Sequence, residues 1–353
     1  MFCSLPTMSH LYLMKLRLLF VFIIFSKLLY GQSSTAVFSG LNVFGSARIA
    51  SLGGNGMALP GGDIHLVTCN PALIDSNLAG LLGMSYVRYF AQSNFGYSTV
   101  AFHKPKSKFA YAATMQFFSY GESNRLDGLG NALGTISNNE YALHVGASYQ
   151  IDSLWRLGAS LKNLYAVYDV YQSYALAADL AANYVNPKSR FSASLMVKNI
   201  GAQLSSFTSN ERERLPMEVQ IGMSKQPKNA PFRFHLVYEN LQKFDITYTD
   251  PNAVTIIDPL TGEPVGNNTW EFGDRLMRHL VVGSEILFGQ NFKLALGYNY
   301  RQRKELSIPN KPSTAGFSFG ASMQFKKFQL SYGRSIYHVA GGSNHISITT
   351  RVF

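Results

Sequence analysis

The chain has 353 residues, of which 46% are hydrophobic, 13% aromatic and only 14% charged, and its net charge is +11. A soluble domain usually carries about a quarter charged residues, so the composition argues against a soluble enzyme. It also argues against several membrane-spanning helices, because each needs about 20 consecutive apolar residues and the one long apolar run lies at the N-terminus. Frequent Gly, Tyr and Phe without further apolar runs are typical of a transmembrane β-barrel.

The N-terminal run predicts a secretory signal peptide over residues 1–31. Lys15 and Arg17 precede an apolar core of eight residues from Leu18 to Phe25, and the small residue Gly31 follows, as in exported proteins. An uncleaved anchor is the alternative, but Lys27 interrupts the run and the core is too short to span a membrane. Met14 is an alternative start, which would make residues 1–13 an upstream extension.

The next segment, 32–80, does not alternate between apolar and polar residues, and we predict that it forms a hatch inside a barrel. Its motif residues are Asp63, Asn70, Pro71 and Ala72. Asn and Pro suit the start of a helix, whereas a gating role in a transport path is the functional alternative. Asp63 suits a turn or a helix cap, or an ion pair with an Arg in the lumen. Cys69, left alone once the signal peptide is removed, predicts a packed residue and no disulfide framework.

From residue 81 to residue 353 the chain repeats one unit, a segment of about 10–14 residues with period-2 alternation followed by turn residues. Successive side chains of a strand point to opposite faces, so each segment has one apolar face and one polar or small face. These segments are longer than soluble strands, which average about 5–6 residues. We therefore predict an all-β, transmembrane antiparallel β-barrel in the outer membrane, with strands near 81–90, 95–104, 108–120, 139–151, 154–168, 172–186, 189–200, 216–226, 231–241, 275–288, 291–303, 313–326, 328–338 and 344–353.

Connection lengths alternate in the pattern of outer-membrane barrels, with short periplasmic turns and longer extracellular loops. Long connections are predicted at 121–138, 201–215, 242–274 and 304–312. The longest one supplies the candidates for a partner-binding loop, since exposed aromatic side chains anchor interfaces; a loop folded over its own barrel mouth is the alternative. The candidates are Tyr248, Asp250, Pro251, Trp270 and Phe272.

No catalytic grouping, metal site or cofactor site is predicted. The eight His are scattered without metal-ligand spacing, and a solvated position in the lumen is expected for His144 and His235. The glycine-rich stretch 128–134 lacks the spacing and the following helix of a phosphate loop, and we interpret it as a mobile outer loop. Inward basic residues predict lumen solvation and charge pairs, or an anionic ligand as the alternative: Lys162, Lys293, Arg301 and Lys326.

The net positive charge is compatible with nucleic acid, an anionic membrane surface or an acidic partner. No basic block exceeds two or three residues and no nucleic-acid motif occurs, so nucleic acid is not expected as a partner. Solvated Lys and Arg at strand ends and in the lumen remain one explanation of the charge. Anionic lipopolysaccharide is the other.

Several stretches resemble the PorQ family of type IX secretion proteins, which lies within the FadL-like outer-membrane barrels. The matching segments are SARIASLGGN (46–55), PGGDIHLVTCNPALI (60–74), 84–102, 174–204 and 215–251. They cover nearly all of the chain beyond the signal peptide. The Asn-Pro-Ala element at 70–72 by itself marks only the wider transporter-like superfamily.

The resemblance implies a fourteen-stranded barrel with an N-terminal hatch and a non-catalytic role in the attachment complex of type IX secretion. It implies three partners: a surface protein like PorZ, the sortase PorU and the related barrel PorV, which together join cargo to anionic lipopolysaccharide. The alternative is a FadL-like transporter of a hydrophobic or anionic small molecule or lipid.

Overall fold

The computed structural model describes residues 37–90, 92–208, 212–247, 271–289, 291–306, 314–338 and 341–352. Among these residues, no helix is long and apolar enough to cross a membrane. The described chain beyond residue 80 is built mainly from fourteen strands: β1 (Leu81–Arg88), β2 (Asn94–His103), β3 (Phe109–Leu126), β4 (Ala132–Gln150), β5 (Trp155–Tyr168), β6 (Tyr171–Asn186), β7 (Phe191–Ser205), β8 (Glu218–Lys225), β9 (Phe232–Tyr238), β10 (Leu280–Phe288), β11 (Phe292–Asn299), β12 (Phe317–Phe325), β13 (Phe328–His338) and β14 (Gly341–Arg351).

The strands form one closed antiparallel barrel in sequence order. Strand β1 pairs with β2 on one side and with β14 on the other, where Leu81 lies opposite Arg351. Closure leaves no sheet edge unpaired, which is the condition for strands to cross a lipid bilayer. The predicted fold class and the number of strands are therefore confirmed.

Alternation along the strands separates a lipid-facing surface from a polar inner wall. In β3 the side chain of Met115 is 59% exposed while that of its neighbour Thr114 is 3% exposed, and in β5 the same contrast holds between Leu161 and Lys162. Aromatic pairs lie at strand ends, for example Phe109 with Tyr149, whose ring centroids are 4.8 Å apart. Barrels place such aromatic girdles at the two membrane surfaces.

The hatch, described over 37–80, packs against the inner wall. It contains the short helix α1 (Ala47–Ser51) and four 3-10 turns, Ser39–Asn42, Ile64–Thr68, Pro71–Leu73 and Ser76–Leu78. An apolar cluster that includes Ile49, Leu52 and Leu66 packs against Ala295 of β11. The wall approaches the hatch closely where it carries glycine: a Cβ on Gly333 would lie 2.1 Å from the carbonyl oxygen of Ala47. The small inner residues thus make room for the hatch backbone.

The predicted long loop at 121–138 is wrong, because most of it is strand. Strand β3 continues to Leu126 and β4 begins at Ala132. The turn between them is closed by Asp127, whose Oδ1 accepts the backbone N–H groups of Leu129 at 2.9 Å and Asn131 at 2.8 Å. Two register shifts interrupt the hairpin, and these bulges, together with its polar composition, hide the period-2 pattern. The stretch 128–134 is accordingly a tight turn and the start of a strand.

Two predicted strand ends are also wrong, because each is a short helix. Helix α2 (Glu271–Arg278) precedes β10, and helix α3 (Tyr300–Leu306) follows β11. Asn299 ends the strand and caps α3, since its Oδ1 accepts the backbone N–H of Gln302 at 3.1 Å. Tyr298 and Tyr300 continue the alternation across this boundary, so the pattern alone extended the strand too far. Arg301 therefore lies on a helix and not on an inner strand face.

Candidate functional site

The hatch is fastened to the wall by four charged side chains, which we name the latch: Arg48 and Asp63 of the hatch, Arg233 of β9 and Glu285 of β10. Three of them are buried, and Arg233 is partly buried, with 15% of its side chain exposed. Arg48 donates from Nε to one Glu285 oxygen at 2.7 Å and from Nη2 to the other at 3.0 Å. It also donates from Nη1 to Asp63 at 2.9 Å. Arg233 donates to Glu285 at 2.9 Å. A bidentate guanidinium–carboxylate pair fixes geometry as well as contributing energy.

Because three of its charged side chains are buried, breaking the latch is costly in free energy, and the latch therefore holds the hatch in its docked position. The side chains of Arg48, Asp63 and Glu285 are 4%, 5% and 1% exposed. Charges at such depth are tolerated only when they are paired, and removing one partner of a buried pair costs about 3–5 kcal/mol. Burial by itself raises the pKa of Asp63, but the charge and hydrogen bonds of Arg48 outweigh it, so the net pKa lies below its ordinary value. Asp63 is therefore a carboxylate in the docked hatch.

Asp63 fulfils both roles that the sequence left open. Its Oδ1 accepts the backbone N–H of His65 at 3.0 Å and so caps the turn Ile64–Thr68. Its Oδ2 is the one that binds Arg48. The pairing Arg, however, belongs to the hatch itself, and Glu285 on β10 supplies the connection to the wall.

The motif Asn70-Pro71-Ala72 forms the closest approach of the hatch to β5. Asn70 Oδ1 accepts the backbone N–H of Ala72 at 2.8 Å, and its Nδ2 donates to the carbonyl of Met57 at 2.8 Å. Pro71 begins the 3-10 turn, where its missing N–H costs nothing. Opposite it lies Gly158, on which a Cβ would stand 2.2 Å from the nitrogen of Ala72. These contacts support the structural role of the motif as a helix start.

The inner histidines are buried contacts between hatch and wall, so the expectation that they are solvated is wrong. His235 of β9 is 3% exposed and its Nε2 lies 3.1 Å from the carbonyl oxygen of Leu52. His144 of β4 is 8% exposed. On the hatch, His65 bridges two strands, with Nδ1 2.7 Å from the hydroxyl of Tyr97 and Nε2 3.0 Å from Thr349 Oγ1.

A second buried ion pair lies within the wall itself. Lys162 Nζ is 2.8 Å from Asp179 Oδ2 and donates to Asn199 Oδ1 at 2.8 Å. Asp179 Oδ1 accepts the backbone N–H of Asn199, which sits at a bulge with a φ of 58°. Lys162 thus belongs to a charge pair, which is one of the two roles expected for it. Lys326 occupies the turn between β12 and β13 and is exposed.

A third polar group lies farther from the short turns, beside the hatch loop at Asn55. Asn55 Nδ2 donates to Gln220 Oε1 at 3.0 Å and to Glu239 Oε1 at 2.8 Å. Glu218 is bound by Lys198, whose Nζ is 2.7 Å from Glu218 Oε2. Together with the latch, the contacts of Asn55 hold the hatch against the part of the wall formed by β8, β9 and β10.

The long-loop end of the barrel carries helices α2 and α3, joined by ion pairs. Asp274 of α2 binds Arg278 at 2.7 Å and Lys304 of α3 at 3.3 Å. Beside them Phe272, the one partner-loop candidate that the structure describes, is 69% exposed. Its ring centroid lies 5.6 Å from that of Phe244. The other four candidates, Tyr248, Asp250, Pro251 and Trp270, lie outside the described residues.

The opposite end, which carries the short turns and is assigned to the periplasm by the outer-membrane pattern, is strongly basic. Among the described residues of these turns the acidic side chain is Asp152. Much of the net positive charge therefore lies at one rim. Its basic side chains are Lys104, Lys106, Lys108, Lys188, Arg190, Lys228, Lys326 and Lys327.

No cluster of three or more metal-ligating side chains occurs within the part of the chain that the structure describes. Cys69 is half-buried in the hatch, and burial raises the pKa of its thiol to about 11. Because the thiolate is the nucleophilic form, this cysteine is poorly suited to nucleophilic chemistry.

The latch was not found from the sequence, although one signal pointed to it. Glu285 and Arg233 are charged residues on the inward phase of otherwise apolar strands, and a charge in a wall that faces a plug needs a partner. The sequence does not show which residue is the partner, since Arg48 and Glu285 are 237 residues apart.

The sequence matches no protein-family profile and no curated protein. Among solved structures it is similar to the toluene transporter TodX of Pseudomonas putida, with 12% identity and a TM-score of 0.52 over 90% of this chain and 100% of that one. It is also similar to two TodX mutants described as monoaromatic hydrocarbon channels. The deltaS2 mutant has 12% identity and a TM-score of 0.52 over 87% of this chain and 98% of that one. The deltaS2S3 mutant has 12% identity and a TM-score of 0.51 over 87% and 99%.

Identity at this level shows the fold alone. The closed fourteen-strand barrel, the segment that precedes its strands and the lipid-facing apolar surface define an outer-membrane β-barrel that shares the fold of TodX.

Proposed function

We propose that this barrel is a non-catalytic anchor in the attachment complex of type IX secretion, holding a surface partner near the sortase. The observation that supports this proposal is that buried ion pairs and hydrogen bonds hold the hatch inside the barrel at several points. Arg48, for example, donates from two nitrogens to Glu285. We expect a barrel whose hatch is held in this way to act through its surfaces. The resemblance to the PorQ family gives those surfaces their partners, a PorZ-like surface protein, the sortase PorU and the barrel PorV, with lipopolysaccharide as the cargo acceptor.

The long-loop end provides the surface for such a partner. Asp274 of α2 binds Lys304 of α3, and the exposed ring of Phe272, which is also on α2, lies 5.6 Å from that of Phe244. Aromatic side chains on a rigid support make effective interface anchors. Tyr248, Asp250, Pro251 and Trp270 belong to the same connection and extend the proposal.

Affinity purification tests the anchor. A tagged barrel is extracted in mild detergent from the outer membrane of its own cells, and co-purifying proteins are identified by mass spectrometry. Components of the sortase complex should be recovered, and Phe272→Ser should reduce their yield. Leu129→Ser is the matched control, since Leu129 is 90% exposed at the tip of the β3–β4 hairpin. Recovery of no sortase-complex component would contradict the anchor.

A second candidate is a gated conduit for a hydrophobic or anionic small molecule or lipid. The structural comparisons bear more directly on this candidate than on the first, because TodX is described as a toluene transporter and its mutants as hydrocarbon channels. The docked hatch would then block the conduit, and the latch would hold the hatch in that position. Uptake of radiolabelled toluene or oleate into proteoliposomes tests it. Flux above protein-free liposomes, increased by Glu285→Gln, would support the conduit, and flux equal to the protein-free level would exclude it for these compounds.

A further inference from the structure

A cavity of about 260 Å³ lies at the short-turn end, between the hatch and strands β6 to β9. The hatch contributes Pro60, and the remaining wall comes from the two neighbouring turns and the strand ends beside them. The polar lining residues are Asn186, Arg190, Ser192, Ser224, Gln226 and Arg233. Ser192 and Ser224 are buried, at 2% and 3% exposure. The apolar lining residues are Pro60, Val185, Pro187 and Phe191, so the cavity combines apolar walls with polar and basic side chains.

The charge of this cavity is positive. Two guanidinium groups, Arg190 and Arg233, line it, and its lining contains no acidic residue. Arg233 donates to Glu285 and, at 3.3 Å, to Gln226, while its Nε is buried and has no hydrogen-bond partner among the atoms that the structure describes. A buried donor without an acceptor costs about 1–3 kcal/mol. Arg233 therefore brings to the cavity a guanidinium group with one N–H still unpaired.

The charged side chains around the cavity also favour an anion. Three cations lie together, Arg48, Arg233 and Lys293, against the two carboxylates Asp63 and Glu285. Arg233 and Lys293 are only partly buried, so the excess positive charge attracts an anion without requiring one. The basic rim of periplasmic turns would raise the local concentration of anions at the entrance.

We infer that this cavity binds a small oxyanion, a phosphate or a carboxylate, from the periplasmic side. Planar guanidinium groups bind both kinds of anion through two parallel N–H donors, and the buried hydroxyl of Ser224 adds a donor, whereas that of Ser192 donates to Asn183 Oδ1 at 3.3 Å. The volume suits a small free anion. The inference stands independently of either proposed function, because it depends only on the cavity and its charges.

Isothermal titration of the mature, detergent-solubilised barrel tests the site, with inorganic phosphate and acetate as separate probes at constant ionic strength. We expect saturable binding of one equivalent for at least one probe. Arg190→Gln should weaken it about tenfold or more, because it removes a charged donor without touching the latch. Ser224→Ala should weaken it less, and it serves as the second variant should Arg190→Gln fail to assemble.

Lys327→Gln is the control, since it removes one positive charge from the same rim away from the cavity. Unchanged affinity in this variant, together with the loss in Arg190→Gln, supports a defined site. Heats that do not saturate with either probe would overturn the inference. Equal weakening by Lys327→Gln and Arg190→Gln would also overturn it, because the binding would then reflect diffuse rim charge.

Discussion

Replacing Glu285 by Gln is the sharpest test of the latch. Gln keeps the size of the side chain but removes the charge that Arg48 binds from two nitrogens and Arg233 from one. Both guanidinium groups then lie in the barrel interior with Asp63 as the remaining carboxylate of the latch. Breaking a buried pair in this way costs about 3 kcal/mol at the lower end of measured cases. Since about 1.4 kcal/mol corresponds to a factor of ten, the population of undocked hatch should rise about 100-fold.

Amide hydrogen exchange followed by mass spectrometry measures that population. The hatch segment 47–59 contains buried amides such as that of Ala50, which donates to Ser46 at 2.9 Å. These amides exchange when the hatch leaves the wall, so their rate reports the undocking equilibrium. Peptides from β6 and β7 of the same sample report whether the barrel itself has opened. We expect hatch exchange to accelerate about 100-fold while exchange in β6 and β7 stays unchanged.

Glu271→Gln is the matched control, because Glu271 is an exposed carboxylate that lies 3.7 Å from Arg275 on the surface of α2. An exposed pair contributes at most about 1 kcal/mol and does not touch the hatch. Hatch exchange in Glu285→Gln within about threefold of the parent protein would refute the reasoning. Equal acceleration in β6 and β7 would refute it as well, since the latch would then stabilise the barrel as a whole.

Further predictions concern the hatch contacts one by one. Gly158→Ala should accelerate hatch exchange strongly, because the added Cβ meets the hatch backbone at 2.2 Å. Gly128→Ala is the control and should leave hatch exchange unchanged, since nothing lies within 4 Å of the added Cβ. Equal exchange rates in the two variants would show that β5 shifts to accommodate the methyl group. Asn70→Ala should cost about 1–2 kcal/mol by loss of the cap, seen as roughly tenfold faster exchange of the same peptides. Because the pKa of Asp63 is lowered in the docked hatch, its contribution is fully present above the ordinary Asp value of about 4 and is lost as pH falls further. Hatch exchange, corrected for intrinsic rates, should therefore be flat from about pH 8 to pH 5 and accelerate below about pH 4. Cys69, with its pKa raised to about 11, should react with iodoacetamide at pH 7.5 at least about 100-fold more slowly than a free thiol; a free-thiol rate would show an open hatch.

The barrel was predictable from sequence because lipid imposes a strict rule on strands. Apolar residues must face outward at every second position, and segments such as Phe292 to Asn299 obey it. The rule fails where the chain leaves the bilayer. Beyond Ser119 the β3–β4 hairpin carries two bulges. At Asn299 the chain turns into a helix whose first residue continues the alternation. At that position the helix cap formed by Asn299 ends the strand, although the two-residue alternation of the sequence continues.

The hatch contacts were only partly predictable, and the reason is sequence distance. The turn-forming roles of Asp63 and Asn70 follow from local chemistry, since each accepts an N–H two residues ahead. The partners of Arg48 and Asn55 on the wall strands, Glu285 and Gln220, lie 237 and 165 residues away, and their choice depends on barrel register. A single sequence shows that Glu285 needs a cation but does not show which cation reaches it.

The hatch is held by apolar and polar contacts together. Each strand sends many large apolar side chains to the bilayer, but the inner wall also carries buried apolar residues such as Val237, Val281 and Phe95 that belong to clusters shared with the hatch. Hydrogen bonds and ion pairs fix the position of the hatch, and their net free energies are modest unless a charge is buried. Docking of the hatch is consequently a separate equilibrium, which a single substitution at Glu285 can shift while the barrel ladder stays intact. An anchor and a gated conduit can share this fold and differ only in where that equilibrium lies, so the measured undocking population separates the two candidates more directly than the fold does.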